Sequence, residues 1–178
     1  MNKSIELNWI RRRVDKSIPI PEVVFFPLED AAGRYYPSVL GNEIYDIDGH
    51  PHSLKYGVIV ISTFWEDEIE STIAHEWRHH WQWFHGIEFE INKFKDETLG
   101  YDKALKEYFI TSKTELDALR FEHKYAGVSE YHKELLKDLL VGIKPKKLIS
   151  IVHKKPLKKD YSKYTKYFKH DNKTFRNE

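Results

Sequence analysis

A chain of 178 residues with 40% hydrophobic and 15% aromatic side chains carries enough apolar surface for one folded domain with a buried core, and too much for a disordered chain. It contains no cysteine, which excludes disulfides, cysteine-ligated zinc ribbons and thiol nucleophiles, so any metal site must draw on His, Asp or Glu. The net charge of +1 hides a division: residues 143–178 hold twelve Lys/Arg against three Asp/Glu, for +9, and residues 1–142 stand at −8, which predicts an acidic folded body, 1–142, followed by a basic Lys/Tyr-rich extension, 143–178.

In chain order, residues 4–14 (SIELNWIRRRV) pattern as a short helix that Pro19 and Pro21 close off. Val23–Phe26 is a β-branched and aromatic run and predicts a strand. Residues 29–53, with Gly33, Pro37, Gly41, Asn42 and Asp48-Gly49, read as loops or a hairpin. Tyr56–Ile61 (YGVIVI) is the strongest strand signal. A helix over 64–85 follows. Thr63 and Glu66 form a capping box at its start, Ile69, Ile73, Trp77, Trp81 and Phe84 make its apolar stripe, and Gly86 ends it. Residues 87–94 alternate as a half-exposed strand or linker. Further helices are predicted near 102–110, 114–126 and 130–141, the last two stopped by Gly127 and Gly142. LISIV (148–152), between Pro145 and Pro156, reads as a strand. The fold class implied is α+β. The first residues lack the apolar core of a signal peptide, and no apolar run approaches the roughly 20 residues that span a bilayer, so the expectation is a soluble cytoplasmic protein without membrane contact.

Chemistry concentrates in His75-Glu76-Trp77-Arg78-His79. Two histidines four apart on a helix lie about 40° and one turn apart, so both imidazoles can reach one ion. Glu76, about 100° around from His75, can approach the open position of that ion without ligating it. This is the physical content of H-E-x-x-H, two nitrogen ligands and a general base for metal-assisted hydrolysis. The bland alternative is a His-rich, aromatic packing helix with no metal, since His80 and His85 lie on the same segment.

A catalytic zinc takes three protein ligands as a rule, so a third is required. The segment Thr114-Glu115-Leu116-Asp117-Ala118-Leu119-Arg120-Phe121 resembles the E-x-x-A-x-x-F helix that follows H-E-x-x-H in ImmA/IrrE-type and other compact gluzincin-like metallopeptidases. The resemblance covers residues 56–126. It implies a zincin-like domain, a small twisted sheet packed on the H-E-x-x-H helix and on a second ligand-bearing helix. It also implies Zn2+ held by His75, His79 and Glu115, with Ala118 allowing close helix approach and Phe121 in the core. Leu119 departs from the polar or small residue common at that position. Ser112, three residues before Glu115, offers a different role for Glu115, half of a capping box.

His85 is the rival third ligand, because its distance from His75 matches the H-E-x-x-H-x-x-G-x-x-H pattern of metzincins. The bending glycine of that pattern is Gln82 here, and the only Met is Met1. In an unbroken helix His85 would lie about 15 Å from His75 along the axis. His85-Gly86-x-x-Phe89 is also similar to the H-G-x-x-F of SprT-type proteins, which carry a longer spacer. His50 and His52 read as loop residues, Tyr108, His123, Tyr125 and His132 as candidates for stabilising an oxyanion, and Asp117 as a carboxylate that could orient a ligand histidine.

These features predict zinc-dependent peptide-bond hydrolysis with Glu76 as general base, on a protein or peptide substrate that adds as a strand to Tyr56–Ile61. Two other classes compete with that reading. One is a non-catalytic metal-containing regulator. The other is a nucleic-acid-associated protein working through the basic extension, where Tyr161, Tyr164, Tyr167 and Phe168 interleave with lysines.

Overall fold

The computed structural model describes residues 14–29, 31–37, 56–65, 68–87 and 100–145, together with the backbone of 44–46 and 51–53. The described residues all belong to one compact unit, Met1–Lys146. The predicted helix 4–14 (apart from Val14, which is helical), the segment 88–94, the LISIV strand and the basic extension beyond Pro145 lie outside them.

Strand β1 (Glu22–Phe26) follows the two prolines, and β2 (Gly33–Tyr36), β3 (Ile44–Asp46), β4 (Pro51–Ser53) and β5 (Val58–Ser62) complete the β structure. β5 is the middle strand of a three-stranded mixed sheet, parallel to β1 through Glu22↔Val58 to Phe26↔Ser62 and antiparallel to β2 through Gly33↔Ile61 to Tyr36↔Val58. Its residues Val58, Ile59, Val60 and Ile61 are fully buried, as expected of a continuous apolar run covered on both faces. This corrects the expectation that Tyr56–Ile61 is the edge that receives a substrate strand, because both sides of β5 are already hydrogen-bonded within the sheet. The strand also begins later than predicted. Gly57 adopts a left-handed φ of 81°, so extended pairing starts only at Val58. The turn-rich reading of 29–53 misses β2 and anticipates the hairpin, since β3 and β4 pair antiparallel across Asp48-Gly49.

Helix α1 (Ile69–Phe84) carries the H-E-x-x-H motif. It packs on β2 and β5 and also on α3 (Lys113–Tyr125), while α2 (Tyr101–Thr111) packs on α3. α1 starts five residues later than the capping-box reading required, with Glu68 at its N-cap and no side-chain cap. The cause is local. The Thr63 amide donates to the Phe26 carbonyl, and Ser62 Oγ accepts from the Phe64 amide at 3.2 Å while donating to the Leu28 carbonyl at 2.7 Å. These bonds hold the chain to the sheet through Thr63, and a turn is needed before a helix can begin.

The predicted helix 130–141 divides into α4 (Glu130–Leu135), capped by Ser129, and a 3-10 turn (Lys137–Leu140). Leu136 and Leu140 both enter a core with Leu105, Phe109, Leu119 and Val128, and Ile143 packs against the same cluster. Among the described residues, no helix is long and apolar enough to cross a membrane.

Candidate metal centre

Opposite sides of α1 do different work. Trp77 and His80 face inward, fully buried. His80 Nε2 donates to the Pro19 carbonyl at 2.8 Å, and its Nδ1 accepts from the Tyr35 hydroxyl at 3.1 Å. Both ring nitrogens of that histidine have neutral partners, so it is a core histidine that fastens α1 to the strands. The other side meets α3, where Ala118 is fully buried and Phe121 nearly so.

There His75 and His79 converge on one carboxylate oxygen. His75 Nε2 lies 3.1 Å and His79 Nε2 3.4 Å from Glu115 Oε2, and one ligand atom from each residue falls within 4.8 Å of the other two. An ion with ligands at roughly 2.0–2.2 Å in tetrahedral geometry separates them by about 3.3 Å, close to the two distances from the histidines to Glu115. Ser112 does cap α3, its hydroxyl accepting from the Glu115 amide at 3.3 Å. The Glu115 carboxylate is turned to the histidines, so the cap and the ligand position coexist.

Proton accounting decides what these three groups need. Gln82 Nε2 donates to the Thr114 carbonyl at 3.0 Å and to Asp117 Oδ2 at 2.8 Å. That orientation presents Gln82 Oε1 to His79 Nδ1 at 2.9 Å, so Nδ1 donates to the amide oxygen and Nε2 faces Glu115. His75 Nδ1 is likewise 3.0 Å from Glu122 Oε2. Two partly buried carboxylates, Glu115 and Glu122, meet at one imidazole here, and they call for a cation between them. In the metal-free chain that cation is the His75 imidazolium: burial works against it, but bonds to Glu115 and Glu122 prevail and hold its pKa well above the usual histidine range. Burial also works to raise the Glu115 carboxyl, and the bonds from His75 and His79 outweigh it, holding Glu115 well below the usual carboxylate range. The residues therefore fit a divalent cation, which would replace the proton with two charges at the same point. His75, His79 and Glu115 can hold a metal ion.

Glu76 is buried beside this group. Burial first, then the carboxylates of Glu115 and Glu122, push its pKa up, while His75 and His79 pull it down. It lies under β2 at Gly33, where a Cβ would come within 2.5 Å of Thr72 Cγ2 and 3.0 Å of Glu76 Cγ. Glycine at 33 is thus a condition of the close strand–helix approach that covers Glu76, rather than the turn signal its sequence context suggests. Of the oxyanion candidates, Tyr108 reaches the site. Its hydroxyl bonds to Glu115, and burial, with that carboxylate, pushes its pKa far up. His123 is held near Ile143, His132 lies against Tyr131, and Tyr125 stacks on Phe121.

His85 stands apart. The helix is unbroken through Phe84, and His85 caps it, stacked on Trp81 with its Nε2 3.3 Å from Asp15 Oδ2. It is no ligand in this arrangement. His50 lies outside the described residues, and His52 is in β4. Asp117 does not touch a ligand histidine; it takes Arg78 Nε at 2.7 Å and Nη2 at 3.2 Å and steadies His79 only through Gln82. Glu122 and Gln82 are the orienting groups that sequence reasoning passed over. Their signal was present: Glu122 lies two turns beyond Glu115 on one face, and Gln82 one turn beyond His79.

No protein-family model, curated protein or solved structure matches this chain. The geometry must speak for the function.

Proposed function

We propose that this protein is a zinc-dependent peptidase with a zincin-like site, in which His75, His79 and Glu115 hold the ion and Glu76 is the general base. The convergence of His75 Nε2 and His79 Nε2 on Glu115 Oε2 is the observation that carries the reading. Two imidazoles and one carboxylate form a donor set suited to zinc, and three protein ligands leave a position open for chemistry. When bound, the ion supplies Lewis acidity that polarises a carbonyl and eases deprotonation of water.

The chain's own residues do the rest. Glu122 and Gln82 fix the tautomers of His75 and His79 and stop either ring from turning away. Glu76 follows His75 directly, so it stands near the reacting atoms without joining the ligands. Its burial raises its basicity, which suits a group that must take a proton from water and return it to the leaving amine. Tyr108, donating to Glu115, is placed to turn its hydroxyl towards negative charge developing on a substrate oxygen. The substrate in this reading is a protein or peptide.

Glu76→Gln tests the assignment. The amide keeps the shape but cannot accept the proton, so cleavage of a denatured-protein or peptide-library substrate should fall by about 10²–10⁴-fold while metal content stays unchanged. Undiminished cleavage by this variant would remove Glu76 from the reaction. A wild-type protein that holds zinc and cuts nothing would favour a metal-containing regulator.

A further inference from the structure

A second feature lies away from the metal ligands. Arg78, Asp117, Arg120, Phe121, Lys124, Tyr125 and the 142–144 segment enclose a cavity of ≈ 380 Å³, within the size range of small-ligand sites. Asp117 is already engaged by Arg78 through two bonds and by Gln82, so its charge is neutralised on the spot. Three cations remain: Arg120 and Lys124, one turn apart on α3, and Lys144 across the cavity. Among the described residues none of the three makes an ion pair, although Arg120 Nε donates to the Leu139 carbonyl at 3.1 Å and Lys124 Nζ lies 5.3 Å from the Tyr125 ring centre. Like charges at i,i+4 repel, and residues 1–142 as a whole are acidic at −8. A local gathering of positive charge in such a body suits an external anion.

The walls indicate which kind. The lining is more polar than apolar, but Tyr125 and Ile143, with the edge of the buried Phe121, add an aromatic and apolar part suited to a flat organic group, while the cations suit the charged end of the same ligand. The geometry points to a phosphate site that takes the phosphate of a nucleotide, either free or as one unit of a single strand. This site is independent of the peptidase reading, since none of its three cations touches the metal ligands.

The test uses the full chain and a fluorescent single-stranded oligonucleotide, titrated at several salt concentrations, with AMP as competitor. Lys124→Gln with Lys144→Gln removes two cations and leaves the Arg120–Leu139 bond in place; Lys158→Gln with Lys159→Gln is a matched change in the extension. The cavity pair should weaken binding about tenfold and reduce the salt slope by about 0.7, the value for one single-strand phosphate that is no longer neutralised, and the extension pair should weaken binding less. Displacement by AMP would identify the free nucleotide as sufficient; binding of the oligonucleotide without displacement would identify the strand. Affinity and slope unchanged by the cavity pair, or no binding of either probe at low salt, would overturn the proposal.

Discussion

His79 and His80 are neighbours on one helix and are both buried, yet they belong to different kinds of site. His80 has a carbonyl for its one proton and a hydroxyl for its one lone pair. His79 turns its Nδ1 to the Gln82 amide oxygen and its Nε2 to a carboxylate that His75 also faces. The first arrangement joins neutral groups, and the second gathers carboxylate charge that a cation can offset. The charge on their partners therefore distinguishes His79 from His80 where composition and burial cannot.

That contrast can be broken most severely at Glu115. Glu115→Ala removes the oxygen on which both Nε2 atoms converge, and zinc affinity should drop by several orders of magnitude in a competition titration with a chelator; His85→Ala should leave it unaltered, because that ring lies against Trp81 and Asp15. The reverse result would place His85 on the ion and Glu115 in a capping role alone. A smaller effect is expected one bond further out. Glu122→Gln weakens the acceptor for His75 Nδ1 and should lower affinity by about 10–100-fold, measured in the same titration; no change would mean that Glu122 does not set the ring.

The smallest expected effect is a pH dependence of the metal-free protein. His75 has a folded pKa raised above its ordinary 6.5, so its contribution to stability is complete below that value and is lost as pH climbs through the folded one. Glu115, depressed from 4.5, contributes above its ordinary value and loses that contribution only in strong acid. Chelated protein should therefore melt at a lower temperature at about pH 9 than at about pH 6, and added zinc should cancel the difference. Equal melting temperatures with chelator present would mean that the His75 proton does not bridge the two carboxylates.

Much of this site was legible in the sequence because its signals are local. His75, Glu76 and His79 sit at fixed helical spacing, and Glu115 follows a capping serine at the head of a helix whose Ala118 and Phe121 are buried as expected. What escaped depends on tertiary contacts. Whether β5 is an edge or the centre of the sheet is decided by β1 and β2, which come from elsewhere in the chain. The late start of α1 follows from a hydrogen bond between Thr63 and Phe26, and the need for glycine at 33 from a helix that lies some forty residues downstream. Gln82 looked like a missing glycine; its amide turned out to be the group that orients His79.

The central claim is that the two sides of α1 differ in their demand for a metal. The direct measurement is elemental analysis of the purified full chain beside His79→Ala and His80→Phe. The account predicts about one zinc per chain in the wild type, none in His79→Ala, and retained zinc in His80→Phe, whose cost is instead about 1–3 kcal/mol of stability from the partners it leaves unsatisfied. Wild-type protein prepared without chelator that contains no transition metal, and cannot be loaded with any, would contradict it.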